Sequence, residues 1–513
     1  MQVLFFILSL ILTLLFFMYG FNHFYLLNEA RTYQPPTLPE IPFDRPEVSI
    51  HLPVYNERYV IRRLVAACTV MAEVYGIEKV SILILDDSDD DTARDVEQVV
   101  SEYLKKHFKI EILRRENRSG FKAGALQAAL DRTREEFIAI FDADFIPPPG
   151  FLLSTLPYFI QDEHLGIIQS RWTHLNRDFN FLTRAIAIGI DVHFLIEQPG
   201  RYAAGCFQNF NGSGGVLRKK AVRQAGGWQA DTLAEDLDLS YRMQGLGYKV
   251  LYLKDLHSPG ELPPTLPSFK KQQGRWANGS LRTARKILPG LLLDRKFEFK
   301  QRLQAFIHLT GFMIQPLMFF SFILACLSSL FGLNNLPTTR LDPLIPANGN
   351  LLLAGAIPIV TLQNLIWAIL FPFLLLCTLA PWLSSISTLK AQNISLAKHL
   401  PTLFILLLLG FGLSMSNTLE AAKALLTDRI WEFNRTPKYA DLQNKQDWRT
   451  RRYQIPMDPL WIAELFFLVL GLWSIASAIR NSNFSVCPIL VLFTLGYGFV
   501  LLFSILQSRK AEA

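Results

Sequence analysis

The hydrophobic pattern divides the chain into apolar runs near both ends and a polar stretch between them. Asp, Glu, Lys and Arg are absent from residues 1–28, 303–339, 343–389, 399–419 and 481–508. Because ~20 consecutive apolar residues span a bilayer core, several of these runs are long enough to cross a membrane. The polar stretch, about residues 45–300, is long enough for one or two ordinary domain cores. The pattern predicts a membrane protein with one sizeable polar domain, and it excludes a wholly soluble or disordered chain.

Within the polar stretch, short apolar runs alternate with amphipathic ones. The short runs predict strands at 48–52, 80–85, 110–113, 137–141, 166–169 and 249–253. Helical periodicity occupies 58–75, 92–107 and 121–132, between the first four strands. This alternation predicts a mainly parallel, doubly wound α/β sheet. Sheets of that kind bind ligands beyond the carboxyl ends of their strands.

Composition and charge agree with this class and give no sign of nucleic acid as a partner. The 513 residues hold 51 Lys+Arg and 44 Asp+Glu, a net charge of +7, and 19% are charged, below the ~25% of an average soluble domain. The sequence has no basic block of five residues and no recognised nucleic-acid motif. Its five cysteines lack CxxC spacing and its nine histidines form no HExxH pair, which argues against disulfides and a zinc site.

The basic segment 428–457 sets the expected membrane orientation. It carries five arginines and two lysines, so the positive-inside rule places it in the cytoplasm. The first apolar run is too long and too poor in charge for a cleaved signal peptide, which predicts an uncleaved anchor. If the polar domain is in the cytoplasm, a full span at 401–419 would place the basic segment on the outside. We therefore expect 401–419 to be interfacial or re-entrant; a further full span is the alternative.

These considerations give one predicted domain organisation. The segments are 1–28, transmembrane anchor; 29–46, linker; 47–265, α/β domain; 266–302, interfacial helices; 303–333 and 351–380, transmembrane; 400–426, interfacial or re-entrant helix; 428–457, cytosolic loop; 459–479 and 485–507, transmembrane. We therefore expect a multi-pass integral membrane protein, of the plasma or bacterial inner membrane, with its α/β domain and C-terminus in the cytosol.

Acidic residues follow two of the predicted strands. Asp86-Asp87 follows strand 80–85, and Asp142-Ala143-Asp144 follows strand 137–141. Asp142 and Asp144 can face one side of the strand end and share a hard cation, which would neutralise a diphosphate. Taken singly, each pair is equally well explained as turn or helix-capping residues.

Two further polar motifs lie later in the polar stretch. Glu235-Asp236 stands where a helix should begin, so these carboxylates either complement the helix dipole or include a general base. Gln272-Gln273-Gly274-Arg275-Trp276 precedes the next apolar run. Arg suits a diphosphate and Trp suits stacking on a sugar ring, although both residue types also anchor proteins at membrane interfaces.

In their order and spacing, these motifs resemble the family 2 glycosyltransferases of the GT-A fold, especially the membrane-embedded processive synthases. The family pattern of D, DxD, TED and QxxRW is matched by Asp86/Asp87, Asp142/Asp144, Glu235-Asp236 and QQGRW at 272–276. Ala234 stands where the family has the Thr of TED. The resemblance implies a nucleotide-sugar-binding GT-A domain joined to an α-helical transmembrane region with interfacial helices.

Shorter stretches narrow the resemblance to plant cellulose-synthase-like A and C proteins, which make β-1,4-mannan, glucomannan or the glucan backbone of xyloglucan. The matching stretches are LPVYNE at 52–57, LDDS at 85–88, NRSGFKAGAL at 117–126 and FNGSGGV at 210–216. FNRTPK at 433–438 is similar to the FxVTPK gating loop of cellulose synthases, with Arg435 in place of Val. Here Phe433, Thr436 and Lys438 would close over the nucleotide.

The resemblance implies an inverting transfer from a nucleoside-diphosphate sugar, with Mg²⁺ or Mn²⁺ as cofactor. It assigns donor contacts to Glu57, Asp86, Asp87, Lys122, Asp142, Gln272 and Arg275. Asp142 and Asp144 would also hold the metal ion. Asp236, beside Glu235, would be the catalytic base and would lie with Trp276 at the acceptor.

The sequence is compatible with three functions. The leading one is a synthase in the lipid bilayer that uses UDP-glucose or GDP-mannose to extend a β-linked, expected 1,4-linked, polysaccharide, with translocation as an extension of that role. The alternative is a glycolipid synthase that transfers one or a few sugars to ceramide or diacylglycerol. A transporter with a nucleotide-binding domain would place ionisable residues in its spans, where Glu464 is the main candidate. Donor, product length, oligomeric state and protein partners are left open.

Overall fold

The polar stretch folds around one seven-stranded sheet in a computed structural model that describes residues 2–332, 379–429 and 458–508. The strands are β1 (Val48–Val54), β2 (Val80–Asp86), β3 (Lys109–Leu113), β4 (Phe137–Ile140), β5 (Leu165–His174), β6 (Gly215–Arg218) and β7 (Lys249–Gly260). Their spatial order is β3-β2-β1-β4-β6-β5-β7. β6 is antiparallel to β4 and β5, whereas the other neighbouring strands are parallel.

The sheet confirms the predicted α/β class with mainly parallel strands, and it adds a strand that the periodicity does not reveal. Six strands lie at the predicted apolar runs. β6 was not predicted because it has only four residues, all buried, between a glycine-rich turn and a basic helix start. Four residues are too few to show the alternation of apolar and polar side chains that identifies a strand.

Helices cover both faces of the sheet. Apart from α1 (Gln2–Arg31), which precedes the first strand and packs on other helices, they are α2 (Ile61–Tyr75), α3 (Thr92–Leu104), α4 (Phe121–Arg132), α5 (Leu156–Gln161), α6 (Phe181–Val192), α7 (Gln198–Ala203), α8 (Lys219–Gln224) and α9 (Glu235–Gly245). β2 shows how the two cores are divided, because successive strand residues point to opposite faces. Ile82 and Ile84 pack in the cluster that contains α2 and α3, and Leu83 and Leu85 pack in the one that contains α4.

Helices also dominate the rest of the chain. They are α10 (Leu266–Leu293), α11 (Phe299–Leu309), α12 (Ile314–Phe331), α13 (Leu396–Gly412), α14 (Ser414–Leu426), α15 (Trp461–Arg480) and α16 (Cys487–Gln507), besides helical residues 379–391. Among the described residues, four helical segments are long and apolar enough to cross a membrane: Ile7–Arg31, Gly311–Phe331, Trp461–Arg480 and Phe484–Gln507. α13 and α14 form a further apolar pair, bent by 46°, so this pair is either a broken span or a re-entrant loop.

The structure divides the predicted segment 303–333 into two helices. α11 ends at Leu309, and the apolar helical segment begins only at Gly311. Gln304 Nε2 of α11 donates to Asn22 Oδ1 of α1 over 2.8 Å, so α11 makes a buried polar contact with the first helix. Most of the predicted segments 351–380 and 428–457 lies outside the described residues.

Substituting Gly412 should test a close backbone contact between two of the apolar helices. A Cβ on Gly412 of α13 would lie 2.4 Å from the carbonyl oxygen of Gly496 in α16. Gly412→Ala should therefore destabilise the protein by about 1–3 kcal/mol, measured as a lower unfolding midpoint in detergent. Gly410→Ala is the matched control, because a Cβ there has no heavy atom within 4 Å. Equal midpoints for the two variants would contradict this packing.

Candidate active site

Lys122 in the first turn of α4 joins three segments at the carboxyl end of β4. Its Nζ lies 2.6 Å from Asp142 Oδ1 and donates to the carbonyl oxygen of Gly212 over 2.9 Å. The same nitrogen lies 3.9 Å from Glu235 Oε1 at the start of α9. The side chains of Lys122 and Glu235 are only 18% and 12% exposed, so these charges interact in a medium less polar than water. The structure thus brings together Lys122, Asp142 and Glu235, which the sequence singled out separately.

Gly212 allows the turn at 211–214 to approach this cluster closely. Its φ of 78° lies in the left-handed region that favours glycine. A Cβ at this position would lie 2.7 Å from Asp236 Oδ2 and 3.2 Å from Lys122 Nζ. The next residue, Ser213, accepts a 2.9 Å hydrogen bond at its Oγ from the backbone N–H of Asp142. The glycine-rich turn therefore closes one side of the site.

The cluster raises the proton affinity of both carboxylates at the start of α9. Burial first, and the charge of Glu235 second, raise the pKa of Asp236 from its ordinary value to about 7. Burial also raises the pKa of Glu235. Burial alone would lower the pKa of Lys122, but the carboxylates of Asp142, Glu235 and Asp236 outweigh it and raise that pKa. A carboxyl group with a pKa near neutrality is suited to accept a proton at physiological pH.

Asp142 and Asp144 occupy different surroundings at the end of β4. The Asp142 side chain is 31% exposed, whereas Asp144 is buried and its Oδ2 accepts a 3.0 Å hydrogen bond from the Glu261 N–H. Arg63 donates to the Asp144 carbonyl oxygen and to Glu261 Oε1, which fixes this corner. Sequence reasoning missed both Arg63 and Glu261.

The two aspartates fit a hard divalent cation that binds together with a diphosphate. Carboxylate oxygens are the ligands that Mg²⁺ and Mn²⁺ take, and Mg²⁺ is usually held by one or two carboxylates plus substrate phosphates. In the described part of the chain, no group of three His, Cys, Asp or Glu side chains could hold a metal ion. The site therefore fits an ion whose coordination is completed by the substrate.

The acidic pair after β2 contacts two arginines that follow β3. Arg114 Nε donates to Asp86 Oδ2 over 3.0 Å, and the Asp86 side chain is fully buried. Arg115 binds both carboxylate oxygens of Asp87, with its Nε 3.0 Å from Oδ1. Sequence reasoning missed both arginines, although they directly follow the strand that neighbours β2.

The QxxRW residues lie on α10, and Arg275 faces the acidic cluster. Burial lowers the pKa of Arg275, while Glu235, Asp142, Asp236 and Asp144 act electrostatically in the opposite direction. Gln272 and Trp276 lie on the same helix, and Gln272 is buried.

The remaining predicted site residues lie elsewhere. Glu57 stands at the start of α2, where its carbonyl oxygen accepts from the N–H groups of Val60 and Ile61. Phe433, Thr436 and Lys438 lie outside the described residues.

Comparison with known proteins gives the family of this domain. Residues 46–279 match the family model described as glycosyltransferase like family 2. Glucomannan 4-beta-mannosyltransferase 2 of Arabidopsis thaliana is 36% identical over 258 residues, 50% of this chain and 48% of that protein. Glucomannan 4-beta-mannosyltransferase 1 of Oryza sativa subsp. japonica is 36% identical over 255 residues, 49% of each chain. The chain thus spans about half the length of the curated relatives it matches.

One solved structure covers more of the chain at lower identity. It is a mannosyltransferase from Pyrobaculum calidifontis in complex with GDP-Man and Mn²⁺, with a TM-score of 0.49 and 18% sequence identity. The match covers 76% of this chain and 100% of that one.

The raised pKa of Asp236 predicts a pH-dependent gain in stability for Asp236→Asn. The folded-state pKa of about 7 exceeds the ordinary 3.8, so ionisation of Asp236 destabilises the fold as pH rises through this interval. Asn carries no charge and removes this effect. The variant's gain in unfolding midpoint over wild type should be small at pH 4, grow towards pH 7 and then stay constant. Asp255→Asn, at an exposed position on β7, is the control; a gain independent of pH would contradict the assignment.

Proposed function

Because residues 46–279 form a family 2 glycosyltransferase domain with the GT-A fold, we propose that the chain transfers a sugar from a nucleoside-diphosphate donor to a growing β-linked glycan at a membrane. The observation that carries this proposal is the meeting of Asp236, with its pKa near 7, and Lys122 beside the two aspartates that end β4. A base, two cationic groups and a pair of hard-metal ligands are what a transfer from a diphosphate requires.

Asp236 is the proposed base of a single displacement with inversion. The acceptor hydroxyl oxygen attacks the anomeric carbon while the bond from that carbon to the diphosphate oxygen breaks. The hydroxyl proton passes to the Asp236 carboxylate, and the electron pair of the broken bond leaves with the nucleoside diphosphate. Burial, and after it the charge of Glu235, keep the pKa of Asp236 raised, so that the base is strong enough to take the proton as attack begins.

The leaving diphosphate is the proposed partner of Lys122 and Arg275. Both cationic groups lie among the four carboxylates of the site, and both would gain a phosphate oxygen when the donor binds. Asp142 and Asp144 would hold Mg²⁺ or Mn²⁺, and the bound ion would neutralise charge on the leaving group. We assign the nucleoside to Glu57, Asp86 and Asp87, a further donor contact to Gln272, and the acceptor to Trp276 together with Asp236.

The product we propose is a β-1,4-linked polysaccharide built from glucose or mannose units. The names of the curated relatives, glucomannan 4-beta-mannosyltransferases, support this linkage and these sugars. Apolar helices on both sides of the domain support a place in the bilayer, with the site on the cytosolic side, where nucleotide sugars are made available. The gating role of 433–438 is part of the same proposal.

A donor panel tests this function. Purified protein in nanodiscs with Mg²⁺ or Mn²⁺ should make a radiolabelled polymer from UDP-glucose or GDP-mannose without an added lipid acceptor, and a β-1,4-glycanase should degrade it. UDP-N-acetylglucosamine serves as the control donor. A short product that extracts into organic solvent would instead identify a glycolipid synthase. No transfer from any of the three donors would refute the proposal.

Replacing the base tests the mechanism. Asp236→Asn should lower turnover by about 10²–10⁴-fold while nucleotide affinity stays close to wild type, since Asn keeps the size of the side chain. In the wild type, kcat/KM should rise with pH up to about 7 and then level off, because the base acts only when deprotonated. Asp255→Asn is again the control and should retain wild-type turnover. A folded Asp236→Asn protein with undiminished turnover would exclude this base.

A further inference from the structure

A buried ion pair connects the helix that carries Arg275 to an apolar helix near the end of the chain. Lys270 Nζ of α10 lies 2.5 Å from Glu464 Oε1 in the first turn of α15. The two side chains are 6% and 1% exposed. Asp458 Oδ2, just before α15, lies 3.4 Å from the same nitrogen. Two carboxylates from one end of α15 therefore hold a single lysine of α10.

Lys270 and Arg275 use different sides of the same helix. At 3.6 residues per turn, Arg275 lies roughly 140° around α10 from Lys270 and about 7.5 Å further along it. Arg275 is under the electrostatic influence of the carboxylates of the candidate site, whereas Lys270 meets α15. A rotation or shift of α10 at Lys270 would thus be transmitted to Arg275 and Trp276.

Other contacts also hold α10, among them the packing of Leu266 and Phe269 against the neighbouring helices, but the Lys270–Glu464 pair is the charged contact between α10 and α15. The backbone N–H of Leu266 donates to Gln507 Oε1 of α16 over 2.7 Å. Further along, Asn278 Nδ2 donates to the Glu420 carbonyl oxygen of α14 over 3.3 Å. A backbone amide and a flexible side-chain amide fix a helix less tightly than a buried pair of opposite charges.

The energetics favour a geometric role for this pair. Burying two charges costs desolvation energy that their attraction often only just repays, so a buried ion pair is weak evidence for stability. An ionisable residue in an apolar helix is likewise expensive and by default points to function. On α15 this costly ionisable residue is Glu464. Its partner, Lys270, lies two residues before Gln272.

We propose that Lys270 and Glu464 are positioning residues that help to fix the rotation of α10, so that Trp276 presents the acceptor to the donor and Arg275 reaches the leaving diphosphate. This inference rests on the proposed function and deepens it. Most of the proposed donor contacts lie on the opposite wall of the site, formed by β4, α4 and the turn at 211–214, so donor binding should depend on the pair less than acceptor transfer does. Acceptor transfer should depend on it strongly.

The test compares single and double replacements in the full-length protein in nanodiscs. Lys270→Met leaves the buried Glu464 carboxylate without its partner, and Glu464→Gln leaves Lys270 with the more distant Asp458 alone, so both should lower the unfolding midpoint. Lys270→Met/Glu464→Met removes both charges while keeping their volume, so the midpoint should recover to the wild-type value or above. Arg285→Met, which removes the exposed contact of α10 with Asp428, is the matched control and should behave as wild type.

Two measurements on the double variant decide the role of the pair. Acceptor transfer should fall by about 10- to 100-fold, as expected for a small misplacement of reacting groups, while donor KM and donor hydrolysis should change by a clearly smaller factor. Amide hydrogen exchange over residues 266–279 should become faster, since the helix has lost its tether. Lys270→Arg should restore most of the transfer, because it keeps the charge.

The opposite results would overturn the proposal. Transfer at the wild-type rate in the double variant would mean that the pair merely fills space. Equal losses of acceptor transfer and donor hydrolysis would mean that the ion pair supports the whole site rather than the orientation of α10. If the wild type uses no donor, the proposed function fails independently of this inference. Hydrogen exchange then still tests whether the pair holds α10, and unchanged exchange in the double variant would refute that role.

Discussion

The candidate site depends on the charge of one largely buried side chain, Lys122. Its ammonium group lies 2.6 Å from Asp142 and 3.9 Å from Glu235, and Asp236 also acts on it. Carboxylates brought together in a medium of low dielectric constant repel one another strongly, so these segments could not meet without a cation between them. The balance is still incomplete, because Lys122 and Arg275 face four carboxylates. Asp236 reduces the remaining repulsion by keeping its proton up to about pH 7.

The antiparallel strand β6 explains why these particular segments meet. A strand that runs against its neighbour begins beside the point where that neighbour ends, and Gly215 of β6 is paired with Ile140 at the end of β4. The turn that leads into β6 therefore lies against the DxD residues that follow β4. A parallel strand would have begun at the opposite end of β4, and it would have left the Asp142 N–H without Ser213 and Lys122 without the Gly212 carbonyl. One reversal of strand direction thus builds a wall of the site.

The parts of this arrangement that could be predicted from sequence are those encoded by neighbouring residues. β2 has a continuous apolar run followed by acids, and the motif Glu235-Asp236 lies at a helix start in the structure as in the prediction. What could not be predicted depends on contacts between distant segments. β6 is defined by its two neighbours rather than by its four residues, and the Arg115–Asp87 contact joins positions 28 residues apart. The raised pKa of Asp236 likewise follows only once α9 and Gly212 are placed together.

The same reasoning applies on a larger scale to α10, which belongs both to the glycosyltransferase domain and to the apolar helices. From the sequence, Glu464 is an isolated acid in an apolar run and Lys270 is an ordinary base near a membrane; the structure makes them partners across 194 residues. A site that must hold a polar donor in one domain and receive a glycan beside apolar helices needs a rigid element common to both. α10 is such an element, because Arg275 on one side interacts with the carboxylates of the site and Lys270 on another side pairs with Glu464 of α15. Separating Lys270 from Glu464 would leave a buried carboxylate unpaired. On our proposal, the orientation of the acceptor side of the site therefore depends on a contact with α15, which lies outside residues 46–279.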